Sequence, residues 1–323
     1  MLAYPMSCDP DLTIDVAIID NKQAVRTVVI SSGLHGIEGF FGSAVQLDWL
    51  TRAVASQKIC PSRVVLVHAL NPYGFANQRR ANEDNVDLNR NFLGNENEYS
   101  GAPSGYAKLD RLLNPPSPRG RFDLFKLRAI WSIARLGMPA IKQAVAGGQH
   151  EFPKGCFFGG AAPSQTMQIV RDNYRTWIGN ASDVVHLDLH TGLGSHGEFK
   201  LLLEQAKDDP ERDWYEETFP GCVEPSADAS GVAYEASGSL GSWLYREFSD
   251  VKLRFALAEF GTYSPLRVLA AMRDENRAHF FASPNDRAYQ AAKRELLECF
   301  CPTSESWRRR VLKSANALIN RVV

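Results

Sequence analysis

The sequence predicts an α/β fold, with helices on both faces of a largely parallel or mixed sheet, and three features carry that expectation. Five short runs are apolar and rich in β-branched residues. Helical periodicity fills several of the intervals between them. The composition, 44% hydrophobic and 23% charged over 323 residues, is that of an ordinary globular protein long enough to bury a sizeable core.

The first run, AVRTVVISS at 24–32, closes on Gly33 and is followed by GFFGSAVQLDWLTRAVA, in which Phe41, Ala44, Val45, Asp48 and Trp49 keep a helical rhythm. SRVVLVHAL at 62–70, DVVHLDLH at 183–190, FKLLLE at 199–204 and LRFALAEF at 253–260 are the other strands expected. Between about 94 and 180 the pattern changes: LNPPSPRGRFD is a proline break, FKLRAIWSIARLGMPAIKQAVAG has helical spacing, and the stretch to 165 is rich in Gly and Pro. Because strands resume at 183, this reads as a helical insertion at about 100–165 inside a single domain, 1–323. The chain after Pro265, about 265–323, reads as three helices.

Lys and Arg number 36 against 37 Asp and Glu, a formal charge of −1. That removes any global electrostatic case for nucleic acid or an anionic membrane surface and leaves small or neutral partners. No apolar run approaches the ~20 residues that span a bilayer. The start, MLAYPMSCDPDLTID, has neither a basic nor an apolar leader segment, so a cytoplasmic protein is expected. The six cysteines are scattered without CxxC spacing, which argues against a disulfide scaffold and a thiolate zinc site.

Four islands carry chemistry. GLHGIEG, residues 33–39, occupies a strand-to-helix corner, where open α/β sheets bind ligands. Its His35 and Glu38 form an HxxE pair able to converge on one ion, as zinc accepts, although a solvated loop also produces such pairs. NPYGFANQRRANEDNVDLNRNF, residues 71–92, concentrates Arg79, Arg80 and Arg90 with four asparagines, donors suited to a carboxylate or to a solvated turn. In DVVHLDLHTGLG, alternation puts His186, Asp188 and His190 on one side of a strand, His186 as a core histidine and His190 at the carboxyl end. The following GLGSHG matches a dinucleotide fingerprint in letters only, because EFKLLLEQAKDD lacks the small apolar helix start that motif needs, and the spacing around Ser195 fails a nucleophile elbow. In LRFALAEFGTYSP, Glu259 ends an apolar strand. Partial desolvation would raise its pKa toward that of a general base, while a structural pair with an arginine is the plainer role.

Taken in order, the islands resemble the zinc metallocarboxypeptidase family, the fold of pancreatic carboxypeptidases and bacterial murein peptide amidases, and more narrowly its uncharacterised DUF2817 branch. The shared pattern is HxxE after a strand, N-P-x-G leading to an arginine, V-D-x-N-R-N, a distant histidine, a tyrosine in an A-S-G loop and a strand-end glutamate. The resemblance spans residues 24 to 265 and implies a three-layer α/β/α domain with a mixed, mostly parallel sheet of about eight strands. It implies His35, Glu38 and His190 as ligands of one Zn2+ and Asp87 as the carboxylate orienting the first histidine. Arg80 would steady the oxyanion, Asn89 and Arg90 would grip a substrate carboxylate, and Glu259 would be the general base. YEASGSLGSW, residues 234–243, resembles the tyrosine loop: Tyr234 would close over substrate, and Gly241, at the floor of the specificity pocket, would leave it roomy. Where digestive carboxypeptidases carry Ser-Tyr after the third histidine, this chain has Thr191-Gly192.

The implied activity is hydrolysis of an amide beside a free carboxylate, by a metallocarboxypeptidase or an amidohydrolase of N-acyl amino acids or small peptides. A non-catalytic carboxylate- or partner-binding module and an esterase or deacylase with the same zinc centre are the rival readings.

Overall fold

The computed structural model describes the chain except residues 58–59, 96–97, 104, 121–122, 137–146, 205–210 and 225–237. Seven strands, β1 (Leu2–Met6), β2 (Asp9–Ile19), β3 (Arg26–Ser32), β4 (Arg63–His68), β5 (Asp183–Gly192), β6 (Phe199–Leu203) and β7 (Lys252–Gly261), form one sheet in the order β1-β2-β4-β3-β5-β7-β6. The five expected runs are β3 to β7. The sheet is mixed, as expected, with seven strands among the described residues in place of about eight. Parallel pairing is confined to its centre: β4, β3, β5 and β7 run together, while β1 on β2, β2 on β4 and β6 on β7 are antiparallel. At one edge the reason is local. Only Ser7 and Cys8 separate β1 from β2, and a two-residue link allows nothing but a hairpin.

Alternation along the central strands divides their side chains between two cores. On one face Val28, Ile30, Val64, Leu66, Val185, Leu187 and Leu189 pack under helix α1 (Gly39–Ser56) and the C-terminal helix Glu305–Asn320. On the other, Val29, Val65, Val67, Val184 and Phe255 pack under the helices Gln165–Ile178 and Leu240–Glu247. The result is a three-layer α/β/α arrangement. The segment expected as a helical insertion contains the helices Tyr106–Leu113 and Phe125–Leu136, and part of it, 137–146, lies outside the described residues. Three helices, Pro265–Phe281, Arg287–Phe300 and Glu305–Asn320, follow β7. No helix among the described residues is long and apolar enough to cross a membrane.

The chain leaves β3 for β4 on one side and the sheet continues to β5 on the other, so the carboxyl end of β3 opens onto a switch point. Two loops meet there. Gly33, at φ +66°, turns the chain out of β3 in a left-handed conformation that suits glycine. Beyond it, the Gly36 and Ile37 N–H groups donate to the carbonyls of Arg80 and Arg79, at 3.2 and 2.8 Å. The short helix α2 (Pro72–Ala76) is capped by Asn71, whose Oδ1 accepts from the Gly74 N–H at 2.8 Å and whose Nδ2 donates to the Arg80 carbonyl at 3.0 Å. The backbones touch so closely that a Cβ on Gly36 would lie 2.1 Å from the carbonyl carbon of Gly74. Gly36→Ala should therefore separate the two loops and cost about 1–3 kcal/mol, the usual range for overpacking, measured as a lowered urea midpoint at unchanged m-value.

Candidate metal centre

His35 precedes and Glu38 ends a single turn of 3-10 helix, Gly36–Glu38, which brings both side chains back across the end of the sheet. His190 comes from β5, beside β3. The Glu38 carboxylate lies between the two imidazoles: Oε1 is 2.8 Å from His35 Nδ1 and Oε2 is 2.9 Å from His190 Nδ1. All three residues are buried, and their ligand atoms lie within 4.8 Å of one another. The far nitrogen of each ring is engaged by a second carboxylate, His35 Nε2 with Asp87 Oδ1 at 3.1 Å and His190 Nε2 with Asp188 Oδ2 at 2.6 Å. Both Nδ1 atoms thus face Glu38 while both Nε2 atoms are committed elsewhere, the arrangement that orients imidazole ligands on a metal.

Burial raises the Glu38 carboxyl pKa, but His35 and His190 more than reverse it and hold the group below the usual carboxylate range. Burial acts the same way on Asp87, and Arg80 and His35 bring it well below that range. Asp188, raised by burial, is lowered by His190 and then by His186. Burial lowers His190, whereas Asp188 and Glu38 raise it well above its ordinary value. Three buried carboxylates held ionised outnumber the cationic groups beside them, Arg80 and a His190 imidazole whose proton they retain, so the pocket stays negative. Two imidazoles and a carboxylate are a donor set that zinc favours, so the residues fit a dication.

Arg80 lies at the rim, its Nε and Nη2 each 3.1 Å from Asp87 Oδ2, Nη1 3.3 Å from Glu38 Oε1 and Nη2 2.6 Å from His35 Nε2. Glu259 enters from β7, whose register sets it directly beside His190. Its Oε1 accepts the Leu193 N–H at 2.8 Å. Burial, and then the nearby Glu38, push its carboxyl up to about 7, with His190 opposing. The structure therefore gathers His35, Glu38, His190, Asp87, Arg80 and Glu259 at one point.

The remaining expected residues are placed differently. Asn89 turns its Oδ1 to the Leu240 N–H at 3.1 Å, and the fully buried Arg90 donates from Nη1 to the Asn89 carbonyl at 2.6 Å. Tyr234 lies outside the described residues. Gly241 does not leave room: a Cβ there would meet Phe255 Cδ1 at 2.4 Å and Glu204 Cγ at 2.7 Å, so this glycine serves close packing of its helix on β7 and the expected open pocket floor is filled. Thr191 turns its hydroxyl away from the centre to the Phe300 carbonyl, 2.7 Å, and offers its N–H to Glu38 Oε2 at 3.0 Å. The sequence placed Asp188 on the right face but gave it no role; the D-x-H spacing on a strand was the available signal, since period two puts both residues on one side.

A three-layer α/β fold with a two-histidine, one-carboxylate centre at the carboxyl ends of its central strands is thus the class that fold and site define. Within it, the chain belongs to the DUF2817 family, described as proteins of unknown function, whose profile matches residues 4–314. Among solved structures it is similar to the murein-tripeptide amidase MpaA of Escherichia coli O157, at 18% identity over 90% of this chain and 89% of that one, with a TM-score of 0.40. It is also similar to the succinylglutamate desuccinylase of Chromobacterium violaceum, at 13% identity over 94% of this chain and 70% of that one, with a TM-score of 0.42. No functionally curated protein matches the chain.

Elemental analysis should find about one equivalent of zinc in the purified protein and little in His190→Ala. Asp87→Asn should keep the fold and weaken zinc affinity by roughly 10–100-fold, the usual consequence of releasing a ligand histidine from its carboxylate. Equal trace metal in all three proteins would remove the metal assignment.

Proposed function

We propose that the protein is a zinc-dependent hydrolase that cleaves an amide bond beside a free carboxylate, as a carboxypeptidase or as an amidohydrolase of N-acyl amino acids or small peptides. The observation that carries this reading is Glu259, a buried carboxyl pushed up to about 7 and set in register beside His190. A module that only bound carboxylates would have use for a metal and for arginines, but not for a desolvated base.

When bound by His35, Glu38 and His190, zinc would supply a Lewis acid and draw the acidity of water toward neutrality. Glu259, fixed through Oε1 by the Leu193 N–H, would take a proton from the attacking water and return it to the departing nitrogen. Arg80, braced by Asp87 on one edge, would turn its guanidinium charge toward the oxyanion. Asn89 and Arg90 are proposed to hold the substrate carboxylate and Tyr234 to close over it, and the protein is proposed to work in the cytoplasm. Asn89 and Arg90 follow Asp87 on one 3-10 turn, which ties their position to that of the His35 support.

The first test is a screen of N-acyl amino acids and short peptides, each paired with the analogue whose carboxylate is amidated. Activity should need the free carboxylate, vanish on complete removal of metal and return with zinc. Persistence without metal would end the proposal. Glu259→Gln should lower kcat by about 10²–10⁴-fold and leave zinc content unchanged. Glu259 works only when ionised, so kcat/KM of the wild type should fall as the pH drops through a midpoint at or below about 7, and this acid limb should be absent from the residual activity of Glu259→Gln. Arg80→Ala should cost roughly 10²–10³-fold, mostly in kcat, as for other lost oxyanion donors.

A further inference from the structure

Behind His190 a line of buried polar groups runs into the core between β3, β5 and the helix Gln165–Ile178. His190 Nε2 is 2.6 Å from Asp188 Oδ2, and the other carboxylate oxygen is 2.5 Å from the hydroxyl of Ser31. Ser31 Oγ is 2.7 Å from His186 Nε2, and His186 Nδ1 is 3.0 Å from the hydroxyl of Tyr174. The five residues are 1–2% exposed. A polar chain of this kind is costly to bury unless every member is satisfied. The proposed reaction uses none of Tyr174, His186 or Ser31.

We propose that Tyr174, His186 and Ser31 are positioning residues that force one direction on this hydrogen-bond chain, so that Asp188 holds the His190 proton on Nε2 and leaves Nδ1 bare toward the metal. This rests on the metal centre described above. The direction follows from counting hydrogens. The Asp188 carboxylate lies between His190 Nε2 on one oxygen and the Ser31 hydroxyl on the other, each at hydrogen-bond distance, and a carboxylate oxygen accepts, so the single Ser31 hydrogen belongs to it and Ser31 Oγ must accept from His186 Nε2–H. Burial pushes His186 down to about 4, so its ring is neutral and has one N–H to give. With that hydrogen on Nε2, Nδ1 has a lone pair, which accepts the Tyr174 hydroxyl hydrogen. Burial raises the Tyr174 pKa, which keeps this donor protonated. The opposite tautomer of His186 would leave the Tyr174 O–H with no acceptor among the described residues. It would also set Nε2 against Asp188 for the one hydrogen of Ser31. Only one arrangement satisfies every group, and it ends on the metal side of His190. Ser31 and Asp188 are register partners on β3 and β5, so the same bond ties the strand that leads to His35 to the strand that bears His190.

The test uses the full-length protein with selectively 15N-labelled histidine, His186 being identified by its loss in His186→Gln, together with zinc affinity from competition with a chromophoric chelator. The expected result is an Nε2–H tautomer for both His186 and His190 in the zinc-loaded protein, and zinc affinity weakened by roughly 10–100-fold in Ser31→Ala. Tyr174→Phe keeps the ring stacked near His186 and guards against a Ser31 variant that fails to fold. It should give a smaller loss of affinity in the same direction and a mixed His186 tautomer. An Nδ1–H tautomer for His186, or wild-type zinc affinity in both folded variants, overturns the chain while leaving the metal centre standing. A wild type that takes up no zinc overturns the metal centre itself, and the chain with it.

Discussion

The structure depends on one carboxylate held between two imidazoles. Glu38 is buried at the junction of β3 and β5, and a charge taken so far from water persists only if it is closely paired. Its neighbours are arranged to that end. His35 and His190 face it, the Thr191 N–H caps its second oxygen, and Arg80 reaches its first. The carboxylates behind the imidazoles carry the pattern outward one further layer, to Arg80 on one side and to Ser31 on the other.

The division of the sheet into two faces explains why the polar groups can be accommodated. Along β5 the odd-numbered Val185, Leu187 and Leu189 fill one core, while the even positions begin with Val184 and then turn polar through His186, Asp188 and His190. β7 does the same on its own terms: Ala256, Ala258 and Phe260 face one core, and the opposite positions run from Leu253 and Phe255 to Glu259. One face of the sheet thus changes from apolar to ionic along its length, and the centre sits at the ionic end. The opposite face is apolar across its middle, where Val28, Ile30, Val185, Leu187, Ala256 and Ala258 pack together, and its polar groups, the Arg254–Asp183 pair among them, lie toward the ends of the strands.

Much of this was legible in the amino-acid order. β3 to β7 announced themselves because buried central strands need β-branched apolar runs, and HGIE, VDLNRN and the strand-end Glu259 stood out because polar residues at strand ends are unusual in such company. The hairpin β1–β2 did not stand out, since Ile14 and Val16 are the fully buried positions in a β2 that also carries Asp9, Asp11 and Asp15. Its antiparallel pairing turned an expected mostly parallel sheet into one parallel only at its centre. Gly241 was read as space for substrate, but a glycine marks close approach as often as emptiness, and here Phe255 occupies the gap. The bond between Ser31 and Asp188 joins residues 157 positions apart, and no local pattern encodes a cross-strand register over that distance.

That distance has a consequence for how the protein comes into being. Glu38 and the backbone that caps it from β5 are 153 residues apart, so the centre closes a very long loop and cannot exist before β3 and β5 have paired. An unfolded or half-made chain presents the HxxE pair without its third ligand, a weak grip. The ion would therefore arrive after the sheet is assembled, and every bit of its binding free energy would favour the completed topology over partly folded competitors, by simple mass action. In a cell, the supply of the ion would then govern how long a finished molecule survives more than how fast it is made.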